Sequence, residues 1–377
     1  MGPFPSPKLP SRYRDGAMTL LPRPVVRAVL RARDAMMRAA DAIVPPEAAL
    51  LDEVAGVGRT AALHLVAKHH VANHLAAGPK TKDQLARLTG LRPELLERVM
   101  SLLVARGIFR VDKAGRYDNT RTSSALVSEN ERSMRAMAEY FGAPFNLVAW
   151  ANLEGGLRSG APVFDATHGA DIWEFFAKHE EHGRLFAAAM SELTNIDAPM
   201  IAAGYPFERF ERICDVAGGR GTLLAAILAR HARPRGVLVE ADYVLDEAKQ
   251  YLAERRLAER VDRVVGNFFE ALPRGHDAYL LKDILHDWDD TRAIAILKNV
   301  RAAMKPSAKV LVCELPIDHL RPEYPAPISD LQMLVVTGGG KQRSEAQFRA
   351  LFEAANLSLS DVRHLAVPMS IFEASPR

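Results

Sequence analysis

Ile213-Cys-Asp-Val-Ala-Gly-Gly-Arg-Gly-Thr-Leu-Leu224 begins as an apolar strand, breaks at clustered glycines and restarts as a helix from Thr222 to about His231. Gly218, Gly219 and Gly221 let the backbone turn sharply and approach a ligand where a Cβ would intrude. The helix that follows points its free N–H groups at whatever lies over the turn. A tight strand-to-helix turn without a ligand would use the same glycines. A second apolar strand, Gly236-Val-Leu-Val239, ends in Glu240, and an acid there is placed to grip ribose hydroxyls. A dinucleotide fingerprint would need a small residue three places after Gly221, where Leu224 stands. There is no phosphate-binding Gly-Lys-Ser or Gly-Lys-Thr. The expected cofactor is a nucleoside without phosphates.

The bulk properties are those of a soluble globular protein. The 377 residues imply two or three domains. Hydrophobic residues make up 48% and charged residues 25%, an ordinary balance. A net charge of +3 does not by itself imply a nucleic-acid partner. Cys214 and Cys313 both sit in apolar strand candidates. They read as core residues rather than a disulfide or metal pair, which suits a reducing, cytoplasmic interior. No apolar run is long enough for a bilayer, and the N-terminus lacks a secretory core, so stable membrane insertion is not expected.

Residues 1–22 are rich in proline and basic groups and read as a disordered arm. Val25 to Val44 follows in helical rhythm, carrying Arg27, Arg31 and Arg38, until Pro45-Pro46 stops it. It reads as a packing or dimer-contact helix, or as one lying on a membrane surface. Leu63, Val66, Val71 and Leu75 mark one helix ending at Gly78-Pro79, and Thr81-Lys-Asp-Gln84 opens the next as a capping box. Arg92 to Ala105 is a third helix, and Ile108-Phe-Arg-Val111 with Arg116-Tyr117 form a small hairpin. This is a winged-helix arrangement. Such folds often bind DNA, but Glu94 and Glu97 share the third helix with Arg92 and Arg98 and would face phosphates. Packing between subunits is therefore the preferred use, and a ligand-sensing regulator the rival.

Residues 131–204 are helical with irregular joints, and their aromatic and methionine side chains suit flat organic ligands. Trp173, Phe186 and Met190 are the candidates to wall an apolar substrate pocket. After Tyr205 strands and helices alternate. Strand candidates are Arg212–Val216, Gly236–Val239, Val261–Val265, Ala278–Lys282, Lys309–Cys313 and Ser370–Glu373. This predicts a doubly wound, Rossmann-like α/β domain with a mostly parallel sheet. The division expected is an arm and helix over 1–46, a winged helix over 47–130, a helical linker over 131–204 and the sheet domain over 205–377.

Ligands on such sheets sit beyond the carboxyl ends of the strands. Those ends carry Gly266-Asn-Phe-Phe269, then Leu281-Lys-Asp-Ile-Leu-His-Asp-Trp-Asp-Asp290, then Glu314, and later Thr337-Gly-Gly-Gly-Lys-Gln-Arg-Ser344. His286 stands out because acids and a lysine crowd the same strand end. No cluster has convincing metal-ligand spacing, so no metal is expected.

The chain resembles S-adenosylmethionine-dependent small-molecule O-methyltransferases, the group of plant caffeic acid, isoflavone and acetylserotonin enzymes and bacterial natural-product enzymes. The resemblance rests on Asp215-Val-Ala-Gly-Gly-Arg-Gly221, Gly266 to Phe269, Leu281 to Asp290, Val312-Cys-Glu-Leu-Pro316 and Gly339 to Ser344, in family order. It extends over nearly the whole chain after residue 50. It implies a class I methyltransferase domain behind an N-terminal winged-helix domain that builds a homodimer. By resemblance, Asp215, Gly218, Gly219 and Gly221 would seat the methionine part of S-adenosylmethionine. Glu240 would bind the ribose, Asn267 and Phe268 the adenine, and Lys282 would line the site. His286 matches the general base and Glu314 one of two acids that flank it. Asp287 would contact a hydroxylated, aromatic substrate. Two positions depart from the family. Asn267 replaces an aspartate, though its carbonyl can still accept from the adenine amino group. Gln342 replaces the second flanking acid and can orient the base without adding charge. Methylation of nitrogen or carbon, or a non-methylating reaction, would use the same fold.

Overall fold

The computed structural model describes residues 23–377, so the expected arm over 1–22 lies outside the described residues. The chain forms two compact units. One takes residues 28–147 and 180–193, the other 23–27, 148–179 and 194–377. None of the helices among the described residues is long and apolar enough to cross a membrane.

In the first unit Thr81 accepts from the Gln84 N–H, and Gln84 accepts from the Thr81 N–H, so the capping box forms as read. Gly90 closes that helix, Lys82–Thr89, in the left-handed conformation. The helix expected from Leu63 to Leu75 is two, Gly56–Lys68 and Val71–Ala76, because His70 between them is left-handed at φ 51°. The hairpin gains a strand. Lys80–Thr81 (β1) pairs with Arg116–Asn119 (β3), which also pairs with Phe109–Val111 (β2). Leu75, Leu85, Leu96, Met100, Leu103 and Phe109 fill the core beneath.

The second unit is built on seven strands: Arg212–Val216 (β4), Arg235–Glu240 (β5), Val261–Val265 (β6), Ala278–Lys282 (β7), Lys309–Glu314 (β8), Leu357–His364 (β9) and Ser370–Pro376 (β10). Their order is β6-β5-β4-β7-β8-β10-β9, parallel from β6 to β8 and antiparallel where β10 meets β8 and β9. Both faces are covered, which is why β5, β7 and β8 read as near-continuous apolar runs, while β4 interrupts its own with Asp215. Ala278 and Leu280 of β7 enter one core with Leu223, Leu228 and Leu252, while Tyr279 and Leu281 enter the other with Ile296, Leu297 and Phe352. Strand order reverses between β4 and β7, so the cleft falls beyond their carboxyl ends.

β10 also carries a buried ionic knot. The Glu373 carboxylate is 6% exposed. It accepts from the Tyr205 hydroxyl at 2.6 Å, Arg209 at 2.6 Å and Ser360 at 3.1 Å, with Lys309 Nζ at 3.2 Å. Burial alone would raise its pKa, but these donors and cations push it down to about 2. A carboxylate depressed in the folded state stabilises above its unfolded pKa, and that contribution fades as pH falls toward 2. Glu373→Ala should therefore cost about 3–5 kcal/mol near pH 7 in urea unfolding. The gap to the unmodified protein should close as pH drops below 4.5. A gap that holds steady through that range would show that the charge is not the source.

Candidate active site

The turn after β4 is shaped by backbone. Ala217 is left-handed at φ 55°, Gly219 at 58° and Gly221 at 82°. The Ala217 N–H donates to the Val239 carbonyl, tying the turn to β5. The glycines are not equivalent. A Cβ on Gly218 would lie 2.4 Å from Asp215 Oδ2 and 2.7 Å from Leu238, whereas one on Gly219 meets nothing within 4 Å. Gly218 is thus demanded by packing, and Gly219 opens onto free space. The Gly219 N–H donates to Glu240 Oε2 at 3.0 Å. A cavity of about 230 Å³ lies here, lined by Ala217, Val239, Glu240, Ala241, Gly266, Asn267 and Phe268.

Asp215 is 1% exposed, and its Oδ2 has no hydrogen-bond partner. Burial, and the nearby Glu240 carboxylate, raise its pKa to about 7 against the pull of Lys282. Lys282 ends β7 with its ammonium on Asp283 and 3.9 Å from Asp197. Burial favours the neutral amine, but the two carboxylates outweigh it and hold the pKa above the ordinary value. Asn267 differs in detail from its reading. Its Oδ1 accepts from the Phe269 N–H at 2.9 Å, so the carbonyl is partly spent on its own turn. Phe268 and Phe269 pack against Trp288, with centroids 5.9 and 4.9 Å away.

His286 rides on the short turn Leu285–Asp287, directly after left-handed Asp283. Glu314, at the end of β8 and fully buried, organises that turn. Its Oε1 accepts from the N–H groups of Ile284, Leu285 and His286 at 3.2, 2.9 and 3.3 Å. Its Oε2 lies 3.3 Å from His286 Nδ1. At the other ring nitrogen, Nε2, stands Asp287 Oδ1 at 3.4 Å. Burial would lower the imidazole pKa, but Glu314, Asp287 and Asp283 outweigh it and raise it above 6.5. Burial lifts the Asp287 carboxyl to about 7 despite His286. The donor atoms of Asp283, His286 and Glu314 lie within 4.8 Å of one another. A positive charge beside them is already supplied by the Lys282 ammonium.

Gln342 Nε2 sits 3.0 Å from His286 Nδ1 and donates to Ser329 Oγ, while its Oε1 is buried without a partner. Exchanging the amide N and O, a choice the hydrogen-bond network decides, makes Gln342 an acceptor for Nδ1–H. The Glu314 anion, 3.3 Å from Nδ1, favours that tautomer by its charge. Nε2 then carries the lone pair.

The aromatic candidates are divided. Trp173 belongs to the second unit, where it stacks on Trp288 at 6.3 Å. Phe186 and Met190 belong to the first, where Phe186 tilts against Tyr140 at 5.6 Å. Sequence reading missed two contributors. One is Gly340, where a Cβ would stand 2.4 Å from the His286 carbonyl. The other is Arg343, a guanidinium with no exposed surface.

Residues 150–358 match the O-methyltransferase domain, and residues 54–129 match the O-methyltransferase dimerisation domain. The chain is 35% identical over 309 residues to the mitomycin biosynthesis 6-O-methyltransferase of Streptomyces lavendulae, spanning 81% of this chain and 87% of that one. It is 34% identical to the 8-amino-8-demethylriboflavin N,N-dimethyltransferase of Streptomyces davaonensis, over 79% of this chain and 86% of the relative. Among solved structures it is similar to NcsB1, an O-methyltransferase from neocarzinostatin biosynthesis captured with S-adenosylmethionine and 2-hydroxy-5-methyl naphthoic acid. The TM-score is 0.73 at 30% identity, covering 84% of this chain and 96% of that one. A class I sheet with this strand order, a cavity beyond the carboxyl ends of β4, β5 and β6 and two successive matching domains place the chain in the O-methyltransferase family, as a methyltransferase carrying that family's dimerisation domain.

Proposed function

We propose that the chain methylates a hydroxyl, phenolic in character, on a small and largely apolar natural product, with His286 as general base. The observation that carries this reading is the histidine held between two carboxylates, Glu314 at Nδ1 and Asp287 at Nε2. The cofactor is S-adenosylmethionine, which supplies an electrophilic methyl group on a sulfonium. The orphaned Asp215 oxygen, the open face of Gly219 and the cavity beside Glu240 and Asn267 fit such a nucleoside. Asp215, Gly218, Gly219 and Gly221 would hold its methionine end and Glu240 its ribose. Asn267 and Phe268 would hold its base, with Lys282 lining the site. Asn267 brings its amide N–H₂ and one remaining carbonyl lone pair to that task.

His286 Nε2 takes the acceptor's proton while Glu314 stabilises the imidazolium and Gln342 keeps Nδ1 in register. A phenol near pKa 10 and an imidazole near 6.5 are separated by roughly 5 kcal/mol. The carboxylates around His286 narrow that gap from the base side. Asp287 would hold the acceptor hydroxyl or a neighbouring polar group. Trp173 is proposed to line the apolar part of the substrate. Residues 47–130 are read as a winged helix used for homodimerisation. Exposed Leu50, Leu51, Val54 and Val57 support that use. Free, buried Cys214 and Cys313 suit a reducing cytoplasm. The domain limits proposed are 1–46, 47–130, 131–204 and 205–377. The riboflavin-type relative favours a second reading, in which an aromatic amine is the acceptor.

Incubation with methyl-labelled S-adenosylmethionine and matched hydroxy- and amino-aromatic acceptors tests both readings by mass spectrometry. Label is expected on oxygen. A base with a raised pKa is protonated at 6.5, so kcat/KM should climb with pH through a limb lying above that value. Label found on nitrogen alone would establish the second reading. A hydroxyl acceptor turned over equally well on both sides of that limb would remove His286 as base.

A further inference from the structure

We propose that Arg343 is a positioning residue for His286, its buried guanidinium holding the backbone carbonyls on either side of the histidine. Arg343 NH1 donates to the Leu285 carbonyl at 2.7 Å and NH2 to the Trp288 carbonyl at 2.7 Å, while Nε donates to Asp290 Oδ1 at 2.9 Å. Between these points the Lys341 N–H donates to the His286 carbonyl at 2.8 Å. Glu314 gathers the N–H groups of the same turn from the opposite side. The backbone of the turn is thereby fixed on its donor side by one buried carboxylate and on its acceptor side by one buried guanidinium. The 339–344 loop comes this close only because residue 340 has no side chain.

Stability alone is a poor account of Arg343. A guanidinium with no exposed surface, set against a counter-ion whose side chain is 53% exposed, bears a desolvation cost that an apolar side chain would avoid. What the planar fork offers is direction. It reaches three acceptors at once, which a single ammonium on a flexible stem cannot do. Displacing a reacting group by about 1 Å costs on the order of 10²-fold in rate.

The effect on turnover rests on His286 being the base, but the position of the ring can be read independently. His286 faces Glu314, Asp287, Asp283, Lys282 and the Gln342 amide. In isotopically histidine-labelled protein its NMR signal is the one lost in His286→Asn. In Arg343→Lys that signal should titrate lower than in the unmodified protein, toward the ordinary imidazole value, as the ring leaves its carboxylates. Calorimetric affinity for S-adenosylhomocysteine should be unchanged. On the acceptor found with labelled methyl, turnover should fall about 10–100-fold. An unmoved His286 titration overturns the proposal even if turnover falls, whereas a lost base role would show only in the His286 variants. Should Arg343→Lys fail to fold, Gly340→Ala presses on the same carbonyl. A His286 signal titrating there as in the unmodified protein also overturns it.

Discussion

His286→Ala is expected to lower turnover about 10²–10⁴-fold, the range for losing a general base, with S-adenosylhomocysteine affinity held within a few-fold. The separation follows from geometry. The cavity proposed for the nucleoside is lined from the ends of β4, β5 and β6, while the histidine stands beyond β7. Removing the ring leaves Glu314 Oε2 facing an empty space, yet Oε1 keeps its three backbone donors, so the turn itself should survive. His286→Asn serves as the companion variant. Its amide restores a donor toward Glu314 but has no basic nitrogen, so its turnover should be as low as that of the alanine variant. Recovery in the asparagine variant would assign the loss to packing and leave the enzyme without its proposed base. Raising pH toward the acceptor's own pKa should partly restore both variants, because a phenolate formed in solution no longer needs a base. Unmodified enzyme should already be past its limb and gain little.

The sheet was legible because its strands are covered on both faces. Cys214, Val237, Leu281 and Val312 sit in runs that are apolar apart from Asp215, as buried parallel strands are. β9 was not legible for the converse reason. Leu-Ser-Leu-Ser-Asp-Val-Arg-His lies at the edge of the sheet, and most of it is solvated. Its partner register slips between Glu373 and Ala374, so the alternation is broken where it would be needed. β1 has only two residues, too few to carry a period. At the site, His286 and Glu314 were readable as polar residues at the ends of apolar strands. Arg343 was not, since an arginine beside Lys341 and Ser344 reads as a solvated loop. Its burial depends on backbone carbonyls contributed by a segment more than fifty residues away. Asn267 was placed correctly at a strand end, but the Asx turn that occupies its carbonyl depends on local backbone conformation, which residue type alone does not specify.

Gly219→Val should weaken S-adenosylhomocysteine binding at least about 100-fold, a loss of roughly 2.7 kcal/mol, while leaving the fold in place. Two effects act together. The backbone at φ 58° is one that a β-branched residue resists, at a cost of about 1–3 kcal/mol. The new side chain also projects into space where, among the described residues, nothing lies within 4 Å of its Cβ. The neighbouring glycine separates ligand exclusion from damage to the turn. Gly218→Ala would press a methyl group onto Asp215 and Leu238, so its penalty should appear as lower thermal stability of the whole domain. Gly219→Ala keeps the conformational cost with little bulk and should bind with intermediate affinity. The order expected by calorimetry is therefore unmodified protein, then alanine, then valine at position 219, with melting temperature falling most for alanine at 218. If valine at 219 binds the nucleoside as tightly as glycine, the open face of the turn is not where the cofactor rests. Asp215, Glu240 and Asn267 would then need another explanation for their unpaired or partly spent polar atoms.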